Sequence, residues 1–216
     1  MARYYPILLT LHTKRALVVG GGPVGERKVH GLLDAGGIVR AVSLTWTEGL
    51  QDLAQSGRIE AITAPYCAEH LRGIALAFAA TDDRAVNAQV AADARSLGIP
   101  VNVADSPEES DFITPSVLRR GDLCISISTG GNHPLLAARI RDELEARFGP
   151  EYAEYIELLG KMREYTLQEI ALPERRRQAM ASLLLHETEL RALLREGRLE
   201  DAYRRAQTLI LAALSE

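Results

Sequence analysis

Cysteine is scarce in this sequence: Cys67 and Cys124 are the only two, and they lie far apart. This excludes a disulfide framework and a paired-cysteine metal knuckle, and leaves two free thiols in structural roles. No uncharged stretch reaches the roughly 18 apolar residues that a membrane span needs. The opening, Met1 to Leu9, has too short an apolar run for a signal peptide. A cytoplasmic protein with no membrane partner is therefore expected. Excess positive charge is missing too, because 25 Lys and Arg stand against 29 Asp and Glu for a net charge of −4. With no basic block, there is no electrostatic footprint for nucleic acid. Internal repeats and low-complexity stretches are likewise absent. What remains is a chain of 216 residues, 47% hydrophobic and 25% charged. Such a chain can bury one substantial core and a second, smaller one.

The most informative stretch runs from Arg15 to Lys28, where the apolar run Leu17-Val18-Val19 ends in Gly20-x-Gly22-x-x-Gly25. Val24, Val29, Leu32 and Leu33 then continue at helical spacing. In a strand–turn–helix of this kind each glycine has a task. Gly20 permits the tight turn, Gly22 lets backbone N–H groups approach a pyrophosphate, and Gly25 allows the helix to pack closely on the strand. The anion would sit at the positive end of the helix. The acidic residue that normally follows about 20 positions later, to hold the ribose hydroxyls, is missing. The second strand instead delivers Ser43-Leu44-Thr45, with no carboxylate before Glu48 and no arginine directly after it. Hydroxyls at Ser43 and Thr45 suit a ribose or a 2′-phosphate, so the residues leave NAD and NADP both open.

Strand-like and helix-like segments alternate through the first half: strands at 15–20, 38–43, 59–64, 75–80 and 100–104, and helices at 24–35, 47–56 and 83–97. This pattern predicts an α/β fold with a Rossmann-like parallel sheet. Thr81 ends the fourth strand, and Asp82 or Asp83 is placed to cap the next helix. Two β-rich runs follow, 112–118 and 123–128, joined by Arg119-Arg120-Gly121-Asp122 as a turn. After Thr129-Gly130-Gly131-Asn132-His133, Pro134 opens a helix to about Phe148, and from Glu151 the pattern is helical only, with helices at 151–170, 174–195 and 199–214. The expected organisation is a dinucleotide-binding domain at 1–110, a β-rich arm at 111–150 and a small helical domain at 151–216.

Several separated motifs agree with one family. Val-Val-Gly-Gly-Gly-x-Val-x-Glu-Arg-Lys at 18–28, Ala-Ala-Thr-Asp-Asp at 79–83, Asn-Val-x-Asp-x-Pro at 102–107, Phe-Ile-x-Pro-Ser at 112–116 and Ser-Thr-Gly-Gly-x-x-Pro at 128–134 resemble the dehydrogenase and ferrochelatase module of siroheme synthase. The resemblance is close to about residue 150 and rests on length and helical character beyond. Because the chain ends at Glu216, it resembles free-standing members, which oxidise precorrin-2 to sirohydrochlorin with NAD⁺, some of them also inserting Fe²⁺. The resemblance implies that Gly20, Gly22, Pro23, Val24 and Gly25 hold the pyrophosphate, that Leu44 and Thr45 face the adenosine end, and that Thr81 faces the nicotinamide. It implies Asp105 as general acid or base and a homodimer formed through the arm. Asn102, Ser116, Arg119, Thr129, Gly130 and His133 are the candidate tetrapyrrole contacts, with Thr129 and His133 standing where fused members commonly carry a serine and a small polar residue.

The residues themselves allow the same chemistry beside plainer roles. Asp105 follows Val101-Asn102-Val103 at the ligand-binding edge of the sheet, where it would serve as a base or as the acid of an Asx turn ahead of Pro107. His133 would assist metal entry or simply open a helix. His12, His30, His70 and His186 lack metal-ligand spacing, so iron would be a passing substrate and no resident metal is expected. Arg119, Arg120 and Arg139 are candidate partners for tetrapyrrole carboxylates, with Arg120 the plainest turn residue. Two readings from other classes remain: a nucleotide-sensing regulatory module without catalysis, and a protein that delivers tetrapyrrole or iron to another enzyme.

Overall fold

The computed structural model describes residues 4–104 and 106–215. The chain forms two compact units, Met1–Thr114 and Pro115–Glu216.

In the first unit, β1 (Arg15–Val19), α1 (Pro23–Asp34), β2 (Ile38–Ser43), α2 (Glu48–Gln55), β3 (Glu60–Thr63), β4 (Ile74–Ala79), α3 (Arg84–Ser96) and β5 (Val101–Val103) follow one another. The strands form one parallel sheet in the order β3-β2-β1-β4-β5. The Rossmann-like α/β fold expected from the alternation is present. Successive residues of β1 are buried on opposite faces: Ala16 and Val18 join Val29 and Leu32 of α1 in one core, while Leu17 and Val19 join Val90, Ala91 and Ala94 of α3 in the other. That is why this strand reads as a continuous apolar run. Strand order reverses between β1 and β4, and such a switch point opens a ligand crevice at the carboxyl ends of the strands.

In the second unit, β6 (Ser116–Arg120) and β7 (Leu123–Ile127) pair antiparallel, and α4 (Pro134–Arg147), α5 (Tyr152–Glu169), α6 (Pro173–Leu185), α7 (Glu187–Arg195) and α8 (Leu199–Ser215) follow. Leu158, Leu183, Leu190 and Ile210 lie wholly buried at the centre of its helical core.

Three local expectations need correction. The first strand of the hairpin starts at Ser116 rather than 112, because residues 111–112 are tied to the first unit. Asp111 exchanges hydrogen bonds with Val101, Asn102 donates to the Phe112 carbonyl at 2.9 Å, and the Phe112 ring meets Phe78 edge to face. Arg119 and Arg120 are not turn residues but ladder residues opposite Cys124 and Leu123. The turn is Gly121-Asp122 alone, with Gly121 at φ +55. The helix expected over 174–195 is broken at His186 into α6 and α7. One straight helix there would run about 33 Å, against about 26 Å for α8. The break lets both pieces pack on α8.

Where α5 begins, Glu151 is only 8% exposed. It accepts from Arg191 at 2.5 Å and Arg195 at 2.8 Å, and Arg191 stacks on the Tyr152 ring. These two guanidinium contacts hold the Glu151 carboxyl down to about 2 from its ordinary 4.5. A depressed carboxyl stabilises the fold above its unfolded value and loses that contribution as pH falls through its folded one. Glu151→Gln is expected to lower the unfolding free energy at neutral pH by about 3 kcal/mol. Urea melts should show the gap between the two proteins closing between about pH 4.5 and 2; a gap independent of pH would exclude the ionic origin.

Among the described residues no helix is long and apolar enough to cross a membrane, and no cluster of three or more His, Cys, Asp or Glu is arranged to hold a metal. Both cysteines are free thiols.

Candidate dinucleotide site

The glycine loop leaves β1 at the switch point. The Gly20 N–H donates to the Val42 carbonyl at 2.9 Å, and Ala80 donates to Val19 at 2.8 Å, so the loop is fixed between β2 and β4. Gly20 has φ +122, and a Cβ there would run into the Ala80 carbonyl. A Cβ on Gly25 would overlap the Gly20 carbonyl, which is the close helix-on-turn packing that the third glycine permits. Gly22 differs. A Cβ there would meet nothing within 4 Å, so the backbone at the start of α1 faces open space. No side chain caps α1, and Pro23 occupies its first turn. The positive helix end and the nearby N–H groups of Val24 and Gly25 therefore suit a pyrophosphate, and these residues fit a dinucleotide.

On the β2 side, the Ser43 hydroxyl oxygen accepts from Gly21 N at 3.0 Å and Thr45 N at 3.4 Å. Ser43 thus braces the loop and keeps only its own proton to donate outward. Thr47 N donates to the Gly21 carbonyl, and the Thr47 hydroxyl caps α2 by accepting from Leu50 N. Leu44 and Thr45 are exposed beside this brace, at the place expected for the adenosine end.

On the β4 side, Thr81 is held by Asn87, which is 6% exposed. The Thr81 hydroxyl donates to Asn87 Oδ1 at 2.7 Å, Thr81 N donates to the same oxygen at 3.1 Å, and Asn87 Nδ2 donates to the Thr81 carbonyl at 2.9 Å. Asp83, one of the two expected caps, takes that place on α3 by accepting from Ala85 N and Val86 N.

Further along the same edge, Asn102 is buried and its amide serves the Phe112 carbonyl. Asp105, the expected acid or base, lies outside the described residues. Its neighbours are anchored. Ala104 N donates to Ala79 at 2.8 Å, the Ser106 hydroxyl donates to Glu108 at 3.0 Å, and the Ser110 hydroxyl donates to the Ser106 carbonyl at 2.9 Å.

The remaining expected substrate residues belong to the second unit. Ser116 stands opposite Ile127 at the start of the hairpin. Arg119 is exposed on β6, whereas Arg120 donates to the Phe148 carbonyl at 2.9 Å and holds the end of α4. Arg139 pairs with Glu143 on the α4 surface. Gly130, at φ +65, turns the chain. Thr129 accepts from His133 N at 3.1 Å. His133 caps α4, its Nδ1 accepting from Leu136 N at 3.1 Å. That bond leaves Nε2 as the only ring nitrogen open to other work.

Comparison with known proteins decides the family. Residues 7–116 match the family described as putative NAD(P)-binding. The chain belongs to this NAD(P)-binding family. Residues 120–147 match a second description, sirohaem biosynthesis protein central. Among curated relatives, siroheme synthase of Methylococcus capsulatus is 40% identical over 201 residues, covering 93% of this chain and 42% of that protein. Siroheme synthase of Pseudomonas putida is 42% identical over 160 residues, covering 74% and 35% respectively. The chain thus spans about two fifths of the length of such relatives. A solved structure described as SirC, precorrin-2 dehydrogenase, superposes with a TM-score of 0.74 at 24% identity, covering 95% of this chain and all of that one. The fold is shared across both units.

Membership of the NAD(P)-binding family accounts for the dinucleotide expected at the loop. Two residues escaped the sequence reading. Gly21 is not part of the Gly-x-Gly-x-x-Gly spacing, yet a Cβ there would collide with the Thr45 carbonyl. Its only signal was the run of three glycines. Asn87, in the first turn of α3, had no signal; its role exists only because the fold brings it under Thr81.

Proposed function

We propose that the chain is an NAD-dependent precorrin-2 dehydrogenase of siroheme biosynthesis that yields sirohydrochlorin, with Fe²⁺ insertion as a second activity of the same protein. The observation that carries this reading is the uncapped start of α1 behind the open face of Gly22, at the switch point of a chain whose relatives are siroheme synthases. Bound NAD⁺ supplies the hydride acceptor. The chain's own residues do the rest. The loop from Gly20 to Gly25 grips the pyrophosphate, Leu44 and Thr45 flank the adenosine end with Ser43 behind them, and Thr81, pinned by Asn87, walls the nicotinamide end. Asp105 takes the proton that leaves with the hydride. Asn102, Ser116, Arg119, Thr129, Gly130 and His133 are assigned to the carboxylate-rich macrocycle, and iron is a substrate that passes through. The two free thiols accord with a reducing, cytoplasmic setting.

The assay is an anaerobic absorbance time course with precorrin-2 and either NAD⁺ or NADP⁺, followed by Fe²⁺. Conversion to the sirohydrochlorin spectrum with stoichiometric NADH is expected, then a siroheme spectrum after iron. Cofactor binding without turnover would instead identify a nucleotide sensor. A homodimer is also proposed, because a two-stranded ribbon is marginal alone and Leu135 and Leu136 at the start of α4 are exposed. Sedimentation should give twice the chain mass at micromolar concentration; a fully active monomer excludes it.

A further inference from the structure

In the second unit, the apolar surface of α6 extends beyond the part that its core buries. Ala179 and Leu183 are buried in the helical core. Met180, partly buried against the same core, lines an open groove of about 630 Å³ with the exposed Ala181 and Leu184, and Leu159 and Leu167 of α5 line it too. Leu184 is 59% and Leu167 47% exposed. The part of this apolar lining left uncovered is Leu167, Ala181 and Leu184. The volume falls in the range of small-molecule sites, roughly 300–1,000 Å³.

The groove also carries positive charge from both helices. Arg163, Arg176 and Arg177 line it, and no Asp or Glu does so among the described residues. Arg176 is fixed in place by donating to the Ile170 and Ala171 carbonyls, which leaves part of its planar fork unused. Arg177 pairs with Glu174 only at an exposed position, where such pairs are weak. Among the described residues, no carboxylate pairs with Arg163. Guanidinium groups beside an apolar trough complement an anionic head on an apolar body.

We infer that the groove between α5 and α6 is a binding site for a soluble amphipathic organic anion, a carboxylate with an extended apolar body. The head meets Arg163 and Arg176, and the body lies along Leu159, Leu167, Met180 and Leu184. All of its lining residues belong to the second unit, and the site does not depend on the proposed reaction.

Dodecanoate, below its micelle concentration, is the probe, titrated calorimetrically into the full chain without cofactor. Dodecyltrimethylammonium serves as the cationic control. One dodecanoate per chain is expected, bound at least tenfold more tightly than the cation. Arg163→Glu should weaken dodecanoate at least tenfold, the loss typical of one charge-assisted contact. Ala181→Trp, at an exposed position that tolerates bulk, should fill the groove and abolish uptake with an unchanged melting temperature. Equal affinity for both detergent-like ions, many molecules bound per chain, or indifference to Ala181→Trp would overturn the site. So would association with anionic vesicles without uptake of monomeric dodecanoate, which marks a lipid surface. A dimer that Ala181→Trp dissociates, with no dodecanoate bound by the wild type, would assign the groove to a second copy.

Discussion

Gly22→Asp is expected to remove measurable NAD⁺ affinity while leaving the sheet unit folded. The argument depends on where a side chain at Gly22 would go. A Cβ there meets nothing within 4 Å, so the fold accommodates the change. The space it enters is the space in front of the α1 N-terminus that a pyrophosphate would fill. An aspartate there blocks the backbone and sets a negative charge against the phosphates, in place of the helix-end attraction. A loss of about 100-fold or more in affinity corresponds to about 3 kcal/mol. Calorimetric titration with NAD⁺ and a far-ultraviolet circular dichroism spectrum separate the two effects, and unchanged affinity removes the dinucleotide assignment. Gly25→Ala is the contrasting variant. Its Cβ overlaps the Gly20 carbonyl, so it should displace α1 and lower the melting temperature together with the affinity.

The glycine loop was legible in the sequence because its requirements are local: a positive φ at Gly20, close packing at Gly25 and a helix that begins at Pro23 all follow from a few consecutive residues. The alternation of strands and helices was legible for a similar reason, since burial on both faces of a parallel sheet leaves apolar runs of strand length. What could not be read depended on partners distant in sequence. Asp111 and Phe112 resemble the hairpin that follows them, but their hydrogen bonds go back to Val101 and Asn102. Ser43 offers a hydroxyl to a ribose or a 2′-phosphate, and that its oxygen also braces the loop through Gly21 N, 22 residues away, was not marked in the sequence. The break at His186 has no glycine or proline to mark it and follows from the length of α8.

Asp105→Asn is expected to lower dehydrogenase turnover by about 10²–10⁴-fold, the usual cost of losing general acid–base catalysis, with NAD⁺ affinity retained. The substitution keeps the shape of the side chain and removes its basicity. The flanking backbone has anchors of its own, Ala104 N donating to the Ala79 carbonyl and the Ser106 carbonyl accepting from Ser110. If the same carboxylate also assists loss of the macrocycle N–H protons as iron enters, chelation falls in parallel, because both steps then need one base beside one bound tetrapyrrole. If dehydrogenation is lost while iron insertion persists, the two steps use different groups and His133 is the next to test. Its Nδ1 already caps α4, so His133→Ala would confuse loss of the imidazole with loss of the cap. His133→Asn avoids this, since asparagine is a good helix cap that has no imidazole. Iron insertion lost in His133→Asn, with dehydrogenation intact, would place the chelation base there. If Asp105→Asn leaves both rates at the wild-type level, Asp105 is a turn-forming acid ahead of Pro107, and the base must be sought among the other residues of the sheet edge.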